Sequence, residues 1–524
     1  MTYLLALDLG TGSCRAVIFD GEGQQVAIGQ REWSHAALPG FPGSQVFDTE
    51  HNWALICDCI REAIALSELG AAEIAAVSAT SMREGMVLYD AAGHEIWACP
   101  NVDSRAADEA AELVSSGQAR RIFETGGDWV PITSPARFRW IRTHEPAIFD
   151  AIAHIGMLSD WVLYRLTGRF VTEPSAGSSS NLFDLRTRSW SPATLEMVGL
   201  PPSIVPEVLE SGQVVGPLHD RAADETGLAA GTPVVVGGAD TQLGLVGIGV
   251  VGGDRLTLVG GSFWQLTAVT DAPLIDPQAR VRTLCHAVPG HWMTEGIGFY
   301  CGIALRWFRD AFCELESAEA SRRRVDPYVV MEEAAERIPP GSNGVTAIFS
   351  NVMNVKRWVQ ASPSFLQFDV DQPSTSNRAA CIRALEEQAA YVSRGHLAII
   401  QELTGGTYDE LVLTGGAAKG RLWPQVVADV MGLTVRLPAA KESTALGAAI
   451  YAGLGAGVYA DLDEAIARLV RFERSVEPEP EAHARYDALF ARWRELYPRI
   501  LELSEAGLLR PMWWPAGADA AEPS

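Results

Sequence analysis

The sequence predicts a two-domain α/β protein, and three observations carry that reading. The chain has 524 residues, more than one hydrophobic core usually organises. Apolar runs of strand length alternate with stretches of helical periodicity from end to end, the pattern of mixed sheets covered by helices. Three glycine-rich turns follow one another in a fixed order. They are Asp8-Leu9-Gly10-Thr11-Gly12-Ser13-Cys14-Arg15, then Gly237-Gly238-Ala239-Asp240-Thr241 with Gly260-Gly261-Ser262, then Thr414-Gly415-Gly416-Ala417-Ala418-Lys419. Glycine lets a backbone approach a ligand closely, and successive N–H groups in such turns form anion-binding concavities. Two of the three turns carry an aspartate, so together they predict a split site holding a nucleotide and its metal between two halves of the chain.

Taken in order, residues 3–9, 15–19 and 25–30 read as strands. They are joined by the turn at 10–13 and by Asp20-Gly21-Glu22-Gly23, a strong hairpin signal. A Walker-type phosphate loop would instead run from strand into helix with GxxxxGK[ST]. Helical periodicity covers 53–68, 136–144 and 160–167, and strand-like runs at 74–79 and 232–238 end just before Arg83 and Asp240. Glycines cluster at 247–253, which places a domain boundary there: 1–248, 249–477, and a helical extension and tail at 478–524. From residue 254 the opening layout returns, with a strand at 255–259, a turn at 260–262 and a strand at 263–270. The likeness is of pattern rather than residues, and it predicts an internal duplication. Helices at 378–402 and 423–431 flank a strand at 410–413. The extension reads as a helix over 481–502 and a Pro/Ala-rich end expected to be partly disordered.

A formal net charge of −24 argues against a nucleic-acid surface, which needs a basic face. An anionic ligand must then be held by local turns and a cation. Asp8 interrupts the first apolar run and no basic segment precedes it, so a signal peptide is not expected. Residues 233–251 are the most apolar stretch, but Asp240, Gln242 and several glycines make them a strand–turn–helix rather than a membrane span. The eight cysteines form no CxxC pair, which suits reduced, buried thiols in a cytoplasmic protein.

Each motif has a plain reading beside its functional one. Gly247–Gly252 matches GxGxxG, but a helix precedes it and a strand follows, so the dinucleotide reading is rejected. The 10–13 turn is either an ordinary hairpin or a phosphate cradle of Thr11, Gly12 and Ser13. In the cradle Arg15 neutralises charge and Asp8 holds Mg²⁺ through water. Asp240 is either a helix cap or a general base at a strand's C-terminal end. Arg83 and Glu84 are an exposed ion pair or a polar clamp on substrate oxygens, and Asp103 with Arg105 has the same two readings. Gly415-Gly416, with the small residues of 442–449, is a simple turn or an adenosine pocket.

Together these turns resemble the FGGY carbohydrate kinases, a branch of the actin-like ATPase (ribonuclease H-like) fold, over residues 3 to about 459. Asp8–Arg15 is similar to the family's D-x-G-T-x-S-x-R phosphate motif. Pro135-Ala136-Arg137-Phe138-Arg139-Trp140-Ile141 resembles its first signature, with Arg137 where lysine is commoner. Ala384-Leu385-Glu386-Glu387 resembles the end of the second, and Gly415–Lys419 the adenosine motif. The resemblance implies two domains closing over a cleft, the first holding substrate and catalytic base, the second holding nucleotide. It implies Asp240 as the base, and Arg83, Glu84, Asp103, Asp240 and Phe263 as substrate contacts. Thr11, Gly12, Ser13, Arg15, Gly261, Ser262, Gly415, Gly416 and Lys419 would hold ATP, and Asp8 and Asp240 would hold Mg²⁺. Four stretches, Ser81–Gly85, Trp97–Asp103, Arg306–Cys313 and Pro339–Ser342, and the extension past Glu477 resemble one subgroup, the autoinducer-2 kinases. That subgroup implies phosphorylation of the C5 hydroxyl of 4,5-dihydroxypentane-2,3-dione.

Gly43-Ser44-Gln45-Val46-Phe47-Asp48 stands where polyol kinases carry G-W-x-E-x-D, and Ile132 where glycerol kinases place a tyrosine. Gly260-Gly261-Ser262 stands where Gly-Thr is common. Fewer hydroxyl partners suit a dicarbonyl, since unpaired buried polar groups penalise a ligand. Val46, Ile132 and Phe263 are then expected to line an apolar flank. A kinase of another ketose or polyol, such as xylulose or erythritol, and a non-catalytic nucleotide-binding protein of the same fold stay open beside this reading. The expected partners are a small sugar-like molecule and ATP, not nucleic acid or membrane, and a homo-oligomer is compatible with them.

Overall fold

The computed structural model describes residues 2–352 and 359–512, so the Pro/Ala-rich end expected to be disordered lies mostly outside the described residues. Two mixed sheets share one plan. In the first, Tyr3–Leu9, Ser13–Asp20 and Gln25–Glu32 form an antiparallel meander. Ile74–Ser81 and then Pro233–Ala239 extend it parallel to Tyr3–Leu9, and Val214–Pro217 closes that edge. In the second, Leu256–Gly260, Trp264–Thr270 and Trp292–Gly298 make the meander. Glu410–Thr414 and Thr434–Pro438 extend it in parallel, with Arg282–Cys285 and Phe472–Val476 on the edges. The duplication expected from pattern is therefore present in topology.

The helices sit where their apolar periodicity demands. Thr49–Ser67 buries Trp53, Ile56 and Ile60 against one face of the first sheet. The opposite face is covered by Ser443–Gly455, a helix that arrives from the second half of the chain. Its run of alanines and glycines lets it lie close to the strands and cross Asp240–Gly247 at backbone contact. A Cβ on Gly247 would sit 1.9 Å from the Ser443 carbonyl oxygen, and one on Gly447 2.0 Å from that of Leu243. The two domains thus meet through two glycine-notched helices, one following the last parallel strand of each sheet.

Between the first sheet's parallel strands the chain builds a small sheet of Met86–Tyr89, Glu95–Cys99 and His154–Met157. Ser134–His144 packs beside it over a core that includes Phe138, Trp140 and Phe183. The 27-residue helix Arg378–Thr404 runs through the second core. The helix of the extension, Pro480–Glu505, joins that core through Tyr486, Phe490 and Trp493. Glu387 ties it down, accepting from the Tyr486 hydroxyl, the Gly341 N–H and the Ser342 hydroxyl, each at 2.8 Å. Among the described residues no helix is long and apolar enough to cross a membrane, and every cysteine is a free, buried thiol.

Candidate active site

The two sheets present their glycine turns to a cavity of about 760 Å³ between the domains. Asp8, Gly10, Arg83, Glu84, Ile132 and Asp240 line it from the first domain; Val259, Phe263, Gln265, Arg282 and Thr414 line it from the second.

The first turn is fixed from behind. The Trp33 indole N–H donates to the Gly10 and Thr11 carbonyls at 3.1 Å, and the Thr11 hydroxyl donates to Asn101 Oδ1 at 3.1 Å. Gly12, Ser13 and Arg15 continue from the cavity wall at Gly10. Arg15 pairs with Glu442 at 3.0 Å and stands 3.6 Å from Asp8. Burial pushes the Asp8 carboxyl up to about 7, reinforced by the Asp240 charge and opposed by Arg15. Asp8 and Asp240, two carboxylates lining one cavity, are a chemically suitable place for a hard divalent cation, which needs only one or two carboxylates when phosphate oxygens complete its shell.

Asp240 is the first residue of its helix, and Ala239 is the cap. It therefore does not act as the helix cap. Its carboxylate accepts from the Thr241 N–H at 2.6 Å. Burial raises its proton affinity, while Arg83 and the Thr241 N–H favour the charged form. The backbone just before it is held by a buried relay. Glu173 binds the Ser175 hydroxyl, and Ser175 Oγ accepts the Ala239 N–H at 2.9 Å.

The second and third turns touch each other. Gly415 has φ +82°, and a Cβ there would lie 2.8 Å from the Gly260 carbonyl, so both features demand glycine. Gly261 and Ser262 precede Phe263 at the wall, and Gly415 and Gly416 follow Thr414. Lys419 ends the short turn Gly416–Lys419 at the surface. The Arg306 guanidinium holds Ser262 Oγ at 2.7 Å.

Four residues named from the sequence depart from one of their expected readings. Arg83 and Glu84 are buried rather than exposed and do not pair with each other. Arg83 forms a two-point bond to Glu295 at 3.2 Å, and Glu84 accepts from Arg282 at 2.9 Å. Asp103 lies behind the wall, not on it, accepting from Arg105 at 2.7 Å and from the Gln45 N–H at 2.8 Å. Val46 is likewise off the wall, bridged to Ala36, whereas Ile132 and Phe263 line it. Arg137, in place of the commoner lysine, donates to the carbonyls of Glu84, Pro100 and Asp103, a reach that a guanidinium fork has and an ammonium lacks.

Arg282, Asp128 and Glu295 were not foreseen. Arg282 donates to Glu295 at 2.8 Å and to Asp128 at 3.1 Å. Burial alone would raise the Glu295 carboxyl, but Arg83 and Arg282 outweigh it and hold it below its ordinary value. The one signal available was a single glutamate in the apolar run Trp292–Gly298.

The comparisons with known proteins agree with this architecture. Residues 3–247 match the N-terminal domain of the FGGY family of carbohydrate kinases and residues 259–456 its C-terminal domain. A protein of Salmonella paratyphi B named "Autoinducer-2 kinase" is 45% identical, covering 98% of this chain and 97% of its own. One of Klebsiella pneumoniae with the same name is 44% identical over 99% and 98%. Among solved structures, xylulose kinase from Rhodospirillum rubrum superposes with a TM-score of 0.84 at 25% identity, covering 96% of this chain and all of that one. Plasmodium falciparum glycerol kinase with ADP gives 0.82 at 19% identity, over 96% and 98%, a likeness of fold. With both domains matched and whole-length relatives near 45% identity, this chain belongs to the FGGY family of carbohydrate kinases.

Proposed function

We propose that the chain is a cytoplasmic, ATP- and Mg²⁺-dependent kinase of open-chain autoinducer-2. It would transfer the γ-phosphoryl group of ATP to the C5 hydroxyl of 4,5-dihydroxypentane-2,3-dione. The observation that carries the reading is the cavity itself: Asp240 shares it with a charged side of Arg83, Glu84, Asp128 and Arg282 and with an apolar flank of Trp129, Ile132, Phe263, Ile297 and Phe299. The whole-length relatives of that name support the choice of acceptor.

In this mechanism Asp240 takes the proton from the C5 hydroxyl as that oxygen attacks the γ-phosphorus. The bond from phosphorus to the β,γ-bridging oxygen breaks, and ADP leaves. Thr11, Gly12 and Ser13 on one side, and Gly261, Ser262, Gly415 and Gly416 on the other, offer N–H and hydroxyl donors to the phosphates. Arg15 offsets their charge, and Lys419 reaches the nucleotide from the surface. Asp8, lining the same cavity as Asp240, would hold Mg²⁺, which when bound neutralises charge on the phosphate oxygens. The apolar wall takes the methyl end of the acceptor and excludes water.

The test is kcat/KM for the pentanedione against xylulose, erythritol and glycerol at saturating ATP and Mg²⁺. The dione is expected to lead by about ten- to hundredfold for each polyol hydroxyl left unpaired. A polyol preferred over the dione would overturn this acceptor.

A further inference from the structure

Arg282 and Glu295 face each other as cross-strand partners in the antiparallel pair Arg282–Cys285 and Trp292–Gly298. This pair is the edge of the second sheet, yet it lies docked on the first domain. The Thr283 N–H donates to the Gly127 carbonyl at 2.9 Å, the Cys285 N–H to Ser178 Oγ at 3.0 Å, and the Trp292 indole to the Leu185 carbonyl at 2.8 Å. The docking carries Arg282 across the domain boundary to Glu84 and Asp128. Glu295, fully buried, grips Arg83 of the first domain and Arg282 of the second at once.

We propose that the second domain takes part in selecting the acceptor, with Arg282 as a specificity-determining residue. Glu295 is the positioning residue that sets Arg282 and Arg83 together against the cavity. The inference rests on the reading of this cavity as the acceptor site. An interdomain latch alone would account for the ion pairs. It gives no reason for Arg83, Glu84, Asp128 and Arg282 all to lie on the cavity wall, since a latch works equally well buried away from a cavity.

The chemistry of the wall follows from counting donors against acceptors. A guanidinium only donates, and an ionised carboxylate only accepts. Arg282 takes one oxygen of Glu84 and one of Asp128, whose other oxygen accepts the Trp129 N–H, so three of these four carboxylate oxygens are engaged within the protein. Glu295 takes only part of the Arg83 fork, so N–H donors remain. The guanidinium donors left over on this side suit an acceptor molecule with adjacent carbonyl oxygens, which accept without bringing protons of their own. A polyol brings hydroxyl protons to the same place and finds fewer partners for them.

The experiment is steady-state kinetics on the full chain, with KM measured separately for acceptor and ATP, alongside the melting temperature. Arg282→Gln is expected to raise the acceptor KM about ten- to hundredfold, the usual worth of a hydrogen bond to a charged group. The ATP KM should stay within about twofold, and the dione-to-xylulose ratio of kcat/KM should fall about tenfold or more. Glu295→Gln should move the same quantities the same way. Arg282→Lys keeps the charge without the fork and should restore the ratio only in part. A lower melting temperature with unchanged acceptor KM and ratio would reduce Arg282 to a latch and overturn the inference. If Arg282→Gln does not fold, a wild-type acceptor KM in Arg282→Lys overturns it equally. If the wild type phosphorylates a polyol better than the dione, the proposed acceptor fails. The KM split, measured with that polyol, then still decides whether Arg282 selects it.

Discussion

The two halves of the molecule share a backbone plan and differ in the side chains placed at equivalent points. In each, a hairpin turn follows the first strand of the meander, and a helix leaves the last parallel strand toward the cleft. The first half puts Asp8 before its turn, Arg15 after it, and Asp240 at the start of its helix. The second half puts Gly260-Gly261-Ser262 in the turn and Ser443-Thr444 at the start of its helix, and adds Gly415-Gly416 against the turn. In the proposed mechanism one copy therefore supplies charge and the base, while the other offers hydroxyl and backbone donors to the phosphates. A duplicated scaffold needs only a few changed residues to divide the work of phosphoryl transfer.

The largest expected effect breaks that division at its centre. Asp240→Asn should lower kcat by about 10²–10⁴-fold, the usual contribution of a positioned base. Acceptor Kd and melting temperature should change little. A variant that turns over normally but melts early would show that this aspartate serves structure alone. Next comes the joint between the halves. Gly447→Ala places a methyl group 2.0 Å from the Leu243 carbonyl oxygen, so the helices must part. Overpacking of this kind costs about 1–3 kcal/mol, read as a lower denaturation midpoint. Because the cleft depends on the crossing, KM for ATP and for acceptor should rise together, unlike the acceptor-only rise expected of Arg282→Gln.

How much of this could be read beforehand depends on how far apart in sequence the cooperating residues lie. The turn at Gly10–Ser13 was legible as a hairpin turn because its residues are contiguous, and the place of Asp240 because it ends a run of buried-strand residues. The meander of the second half was legible from its repeated spacing, with element ends moving by a few residues. The fates of Arg83 and Glu84 were not, because adjacent residues were expected to act together. The structure turns them to separate partners, with Glu84 at φ +59°. Arg282 and Glu295 stand 13 residues apart, and only the pairing of their strands, docked on the other domain, makes them a unit. The small residues of 442–449 were read with Gly415-Gly416 as a simple turn or an adenosine pocket; that they open the helix Ser443–Gly455, which covers the first sheet, was not legible.

The effect furthest from the chemistry sharpens the comparison, because it concerns a support directly behind Asp240. Glu173 holds Ser175, and Ser175 accepts the N–H of Ala239, immediately before Asp240. Burial pushes the Glu173 carboxyl up to about 7 from an ordinary 4.5, although Ser175 and the N–H groups of Ser175 and Ala176 favour its charged form. The folded protein therefore holds this proton across a pH range in which the unfolded chain has released it. The stabilisation is complete below about pH 4.5 and is lost as pH rises to about 7, with a slope of at most about 1.4 kcal/mol per pH unit. Glu173→Gln keeps an oxygen acceptor for Ser175 and cannot titrate. Its unfolding free energy should fall less than that of the wild type between pH 5 and 7, as measured by denaturant titration at each pH. Parallel curves for the two proteins would mean that Glu173 stays charged throughout, held by its serine and backbone donors, and that burial has been outweighed.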